Sequence, residues 1–265
     1  NLYHLIMPAT HRLRPIEAVE AFHLAFLQVL YARLDPTRLV LKGGGNLRYF
    51  FGSRRYSEDI DLDAVDLEHQ RLAMRIEKVL GSPVLRALLA NIGISVGSIN
   101  VYKATPANNT WKFQLRVAGT STPIPTKIEI SHRSAFDPRT SFDTVPVSVI
   151  GPYAPPLFPF AITHYLPASA IEQKIGALAM RNETQARDIF DLDLLLLGWP
   201  GAAPKGRIPA ETLDRAIDLM LRIPYATFRA KVMTFLEPQV QELYASEKTW
   251  EAMKERVLER LEELR

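Results

Sequence analysis

The chain has 265 residues, 47% hydrophobic and 23% charged, with a formal net charge of +3, so it has length enough for one large or two modest domains with a sizeable core. It contains no cysteine, which excludes disulfides, thiolate metal sites and a cysteine nucleophile. No apolar run approaches the roughly 18 residues of a membrane span, and Asn1 to Thr10 lacks the basic-then-apolar pattern of a signal peptide, so the expected location is the cytoplasm with no membrane partner.

Pro15 to Leu34 reads as the first helix. Proline suits the opening turn, Ala18, Ala21, Phe22, Ala25, Phe26, Val29 and Leu30 recur at helical spacing, and Asp35-Pro36 stops it. Leu39 to Lys42 is a short apolar strand that runs straight into three glycines, and Leu47 to Phe51 a short helix. After the polar loop Gly52 to Ser57, Ile60 to Asp63 alternates apolar and acidic residues, as a strand beside a cleft does. Leu67 to Leu80 and Pro83 to Asn91 are helical in pattern. Ile94–Lys103, Trp111–Val117, Thr126–Ser131 and Val145–Ile150 are rich in β-branched and aromatic residues between Gly, Pro and Asn, and read as strands of a mixed sheet. From Pro167 onward the pattern is helical, with helices expected over 169–181, 185–197, 210–222, 225–236 and from Lys248 to the end.

Five prolines between Gly151 and Pro167 mark the expected boundary, giving an α/β core over 1–155 and a helical part over 156–265. The predicted fold class is α/β in the mixed α+β sense. The six histidines, His4, His11, His23, His69, His132 and His164, have no metal-ligand spacing, and Trp111, Trp199 and Trp250 read as core or interface residues.

Chemistry concentrates in Leu39-Val-Leu-Lys-Gly-Gly-Gly-Asn-Leu-Arg48 and Ser57-Glu-Asp-Ile-Asp-Leu-Asp63. Glycines between a strand and a helix let the backbone approach a phosphate, and the helix N-terminus offers free N–H groups and a positive dipole end. Asp59 and Asp61 stand at i and i+2 on a strand, so both carboxylates face one way. Two such acids beside a phosphate cradle repel each other unless a cation joins them, and Mg²⁺ shares carboxylates with substrate phosphates. An Asp-x-Asp or a Gly-Gly alone is commonly a solvated strand or a turn; the order of the two after a short strand is what carries weight.

Gly43-Gly44-x-x-Leu47-Arg48 followed by Arg55-Tyr-Ser-Glu-Asp-Ile-Asp-Leu62 resembles the nucleotidyltransferase signature, and more narrowly the AbiEii/AbiGii toxin family, which includes the MenT toxins. Glu172-Gln-Lys174-Ile-Gly-Ala-Leu and Arg187-Asp-Ile-Phe-Asp191-Leu resemble that family's downstream motifs, so the match runs from Lys42 to Asp191. The resemblance implies a nucleotidyltransferase-fold mixed sheet flanked by helices. It implies Gly43 and Gly44 against the triphosphate of an NTP, Ser57 on a phosphate or bracing the loop, and Asp59 and Asp61 on Mg²⁺, with Mn²⁺ as an alternative. It further implies Lys174 neutralising phosphate charge and Asp191 as a base or as orienter of Lys174. Arg48, Arg55 and Arg187 are candidates for phosphate contact or for internal ion pairs.

The superfamily's third carboxylate maps onto Glu129, in the strand segment Lys127-Ile-Glu-Ile-Ser131, as metal ligand or general base; a solvent-facing strand glutamate is the other reading. On the helix, Arg187 and Asp191 are spaced to pair at i, i+4. Gly45-Asn46 departs from the threonine or serine common in the family after the two glycines. The implied activity is NMP transfer to a hydroxyl, with a tRNA 3′ end as acceptor, in the toxin of a toxin–antitoxin system with a cognate antitoxin protein. The alternatives are a small-molecule acceptor of the aminoglycoside kind, or a nucleotide-binding regulator without transfer.

Overall fold

The structure is a computed structural model that describes residues 13–105, 107–133, 139–181 and 185–265. The expectations for Asn1 to Thr10, His4 and His11 lie outside the described residues.

Helix α1 (Pro15–Tyr31) starts at Arg14, whose backbone N–H donates to Glu17 Oε2 at 2.7 Å, and has proline in its first turn. It is followed by β1 (Leu39–Lys42), α2 (Gly43–Phe50), β2 (Ile60–Val65), α3 (His69–Leu80) and α4 (Pro83–Asn91). Strands β3 (Ile94–Ala104), β4 (Asn108–Val117), β5 (Ile124–Arg133) and β6 (Thr140–Thr144) lead to the short helix α5 (Val147–Ile150) and to β7 (Ala161–Tyr165). Helices α6 (Pro167–Met180), α7 (Ala186–Gly198), α8 (Ala210–Leu221), α9 (Tyr225–Lys231), α10 (Pro238–Gln241) and α11 (Glu247–Glu262) complete the chain.

The seven described strands form one mixed sheet in the order β3-β4-β5-β2-β1-β7-β6. β2 runs parallel to β5 and β1 parallel to β7, and the other pairs are antiparallel. The period of two separates the faces of the central strands. Leu39, Leu41, Ile60, Leu62, Ile128 and Ile130 point into a core shared with α1, α3 and α4. Lys42, Asp61, Asp63, Lys127, Glu129 and Ser131 take the opposite face, where register sets Lys42 opposite Asp61 and Asp61 beside Glu129.

A second core joins α6, α7, α8, α9 and α11, with Phe190, Phe228 and Trp250 at its centre. Helix α2 serves both cores. Tyr49 packs under the sheet, whereas Leu47 and Phe51 pack among the C-terminal helices. The two cores therefore meet at the turn that carries the glycines.

Four local expectations are corrected. Helix α2 starts at Gly43 rather than Leu47, so the glycines form its first turn. Val145–Ile150 is not a strand; Pro146 caps the short helix α5 there. β6 and β7 were not expected, and β7 lies past residue 155, within the proline-rich stretch, hydrogen-bonded into the sheet between β1 and β6. The helix expected over 225–236 breaks at Val232 into α9 and a 3₁₀ turn, Met233–Phe235.

Candidate active site

β1 delivers the chain to α2 with Lys42 extended, and Gly43 then turns at φ +65°, in the left-handed region. A Cβ on Gly43 would lie 2.7 Å from Asp61 Oδ2, and one on Gly44 would lie 2.7 Å from Ser57 Oγ and 3.1 Å from an Arg55 nitrogen. These two positions admit no side chain while the acid and the serine stay in place. Gly45 is different, because its added carbon would meet nothing closer than 3.5 Å.

Gly43, Gly44, Arg55, Ser57, Asp59, Asp61, Glu129, Lys174 and Arg187 line one cleft of about 130 Å³. Ser57 Oγ donates to the Asp59 carbonyl at 2.9 Å and so braces the loop leading into β2. Asp59 is pushed up to about 6, chiefly by burial, against the pull of Lys127. Burial also raises Asp61, with Lys127 and Lys42 opposing the shift. No described side chain or backbone group makes a hydrogen bond to the Asp61 carboxylate. Asp63, the third acid of the run, is neutralised elsewhere: Lys42 at 2.6 Å, Arg133 at 3.1 Å and the Tyr165 hydroxyl at 2.8 Å surround it.

The helical part closes the cleft. Lys174 Nζ lies 2.6 Å from Asp191 Oδ2 and 3.1 Å from Asp188 Oδ1, because Asp188 and Asp191 share one face of α7. Arg55 reaches the fully buried Asp191 at 2.9 Å, and Arg181 takes the other oxygen of Asp188 at 2.8 Å. Burial would raise the Asp191 carboxyl, but Arg55 and Lys174 overcome it and hold it below its ordinary value. A carboxylate so stabilised is a poor base and a good anchor for Lys174. Arg187 pairs with Glu58 at 3.3 Å, so the i, i+4 pair with Asp191 does not form.

Arg48 stands apart from the cleft. Its guanidinium pairs with Glu20 at 3.1 Å and Glu237 at 2.6 Å and covers the Tyr56 ring, which makes it an internal ion pair rather than a phosphate contact. Asn46 is buried and donates to the Tyr165 carbonyl at 2.9 Å, tying α2 to β7.

Sequence reasoning missed Lys127. Its ammonium sits 3.1 Å from Glu129 Oε2 and 3.5 Å from Asp59 Oδ2. Burial lowers the affinity of Lys127 for its proton, but Asp59, Glu129 and Asp61 together raise it. The signal was available: Lys127 precedes Glu129 by two on one strand and so shares its face. Glu58 was also missed, and only its tertiary contact with Arg187 brings it in; the i, i+3 spacing of Asp188 and Asp191 already puts them on one helix face, but the pairing of Asp188 with Lys174 and Arg181 is tertiary.

Among the described residues, no three acids or histidines converge tightly enough to hold a metal by themselves. Asp59 and Asp61 nonetheless fit one hard dication, because they are adjacent oxygen donors and the Asp61 carboxylate has no hydrogen-bond donor of its own among the described residues. Mg²⁺ bound through one or two carboxylates ordinarily completes its shell with phosphate oxygens and water.

Two solved structures from Helicobacter pylori share this fold. JHP933 is 20% identical, with a TM-score of 0.59 over 95% of each chain. A protein described as a candidate nucleotidyltransferase is 19% identical, with a TM-score of 0.59 over 95% of this chain and 97% of its own. No curated protein sequence matches the chain. The profile of the family described as "Nucleotidyl transferase AbiEii toxin, Type IV TA system" matches residues 25–263, a span that takes in the glycine turn, both acids of β2 and the lysine and aspartate of α6 and α7. The chain therefore belongs to the AbiEii nucleotidyltransferases, the toxins of type IV toxin–antitoxin systems.

Proposed function

We propose that the protein transfers a nucleoside monophosphate from an NTP to a hydroxyl of RNA, a tRNA 3′ end, with release of pyrophosphate. The observation that carries this reading is the convergence of Gly43 and Gly44, Asp59 and Asp61, and Lys174 on one cleft from three separated stretches of chain. The first-turn N–H groups of α2 lack intrahelical partners and can donate to the triphosphate. Lys174, held by Asp188 and Asp191, presents its remaining donor to phosphate oxygens. A divalent ion on Asp59 and Asp61, Mg²⁺ or Mn²⁺, would supply charge neutralisation at the transferring phosphorus. Glu129 faces the same cleft and can accept the proton of the attacking hydroxyl.

Beside this cleft lies a second hollow of about 350 Å³ lined by Lys42, Arg133, Lys174 and Arg181 along with Asp61 and Glu129. Its cationic lining favours a polyanionic acceptor over an aminoglycoside, which is itself a cation. Register beside Asp61 keeps Glu129 within the acidic group, which speaks against a regulator without transfer.

Incubation with each labelled NTP, Mg²⁺ and total tRNA tests the proposal. Label on tRNA is expected with the native protein and none with Asp61→Asn. Transfer only to small molecules would replace the acceptor, and NTP binding without transfer to anything would remove the catalytic reading.

A further inference from the structure

Lys127 occupies a position that a second metal ion would need. The parallel register of β2 and β5 sets Asp61 beside Glu129, and two residues earlier, just before the first residue of β2, Asp59 comes within 3.5 Å of Lys127. The ammonium lies between the acids, 3.5 Å from Asp59 and 3.1 Å from Glu129, with all three side chains between 23% and 31% exposed. Lys112 stands opposite Lys127 on β4, so a like charge flanks it on the side away from the acids. With Lys127 counted, the acids Asp59, Asp61 and Glu129 leave two negative charges, which one dication balances. A second dication would have to displace the ammonium and then leave it beside Lys112 without a counter-charge.

We infer that the Lys127 ammonium is a built-in substitute for one metal ion, so that this chain takes one divalent ion per site and Glu129 stays outside the metal's shell. The inference rests on the nucleotidyltransferase reading of the cleft but goes beyond it. Two-ion sites bind both attacking and leaving oxygens through metal. Here a fixed cation takes one of those places, and its location is set by the strand rather than by metal concentration.

Counting Mn²⁺ ions bound per chain tests this, by electron paramagnetic resonance and calorimetry with a non-hydrolysable NTP analogue present. The native protein is expected to bind one ion. Lys127→Gln is expected to bind two, because Asp59 and Glu129 are then free to share a metal. Lys127→Arg, which keeps the charge, is expected to return the count to one, as is Lys127→Gln combined with Glu129→Gln. Rescue by arginine separates charge from a merely structural role, and circular dichroism of each variant reports folding. Two ions in the native protein, or one ion with unaltered affinity in folded Lys127→Gln, would overturn the inference and leave the nucleotidyltransferase reading standing. No bound ion in the native protein would overturn both.

Discussion

At the residue scale the site is defined by what it cannot accommodate. Gly43 combines a positive φ with a Cβ position 2.7 Å from Asp61 Oδ2. Gly43→Ala is therefore expected to cost about 1–2 kcal/mol in backbone strain and to displace the acid, lowering transfer by about 100-fold or more. Gly45→Ala meets only ordinary contacts and is expected to keep activity while adding up to about 1 kcal/mol of helix stability. Parallel transfer assays and thermal melts check the pair, and equal losses at both positions would refute the cradle. The carboxylates separate in the same way. Asp61 is half-buried without a hydrogen-bond donor among the described residues, so Asp61→Asn should abolish transfer yet leave the unfolding midpoint in urea unchanged or raised. Asp191→Asn strands the buried Arg55 and leaves Lys174 with Asp188 alone, and should cost about 3–5 kcal/mol in the same urea titration. On the proposed function, one acid would serve chemistry and the other architecture, although each stands in an equally short acidic motif.

At the element scale, α1 bears on the site from behind the sheet. His23 is fully buried, and its Nε2 lies 3.0 Å from the Thr126 hydroxyl, which donates to the Glu58 carbonyl at 2.9 Å. Burial pushes the imidazole down to about 3. A base depressed in the native state takes up its proton only on unfolding, so its contribution is intact above about pH 6.5 and is lost as pH falls toward 3. At pH 5 the loss amounts to about 2 kcal/mol. His23→Gln keeps a partner for Thr126 without the titration, and urea unfolding from pH 7 to 5 should show a flatter decline; an unchanged slope would exclude His23 as the cause. Several elements were legible in the sequence, α1 and α4 through helical periodicity and β1 as a short apolar run ending in glycines. β6 and β7 were not, because five-residue strands bordered by prolines carry too few alternations to stand out from a loop, and their pairing is set by distant partners. The first turn of α2 escaped for a different reason. Glycine weakens helical propensity, and only packing of Leu47, Tyr49 and Phe51 into two cores holds its first turn in place.

At the scale of the whole molecule, the helical part is fastened to the sheet by the loop that carries site residues. The Tyr56 N–H donates to the Phe235 carbonyl at 2.8 Å, and Glu237 N–H to the Arg54 carbonyl at 2.9 Å, a short ladder between the Arg55 loop and the segment after α9. Arg48 locks it by holding Glu20 of α1 and Glu237 together. Arg48→Ala leaves the buried Glu20 without its cation and Glu237 with Arg54 alone, and is expected to cost about 3 kcal/mol. Hydrogen exchange should then show loss of protection concentrated at Arg54–Tyr56 and Phe235–Glu237. A uniform loss, or none, would mean that the clamp lies elsewhere.

Local pattern alone set out the chemistry on offer: a glycine turn, two acids at strand spacing, and a lysine and an aspartate at fixed places on later helices. Those are local patterns, and backbone periodicity translates them directly into direction. Tertiary structure alone decided which charges face each other. It gave Asp63 to Lys42, Asp191 to Arg55 and Lys174, and Lys127 to Asp59 and Glu129, because strand register and helix docking bring together residues whose separation along the chain carries no signal of contact.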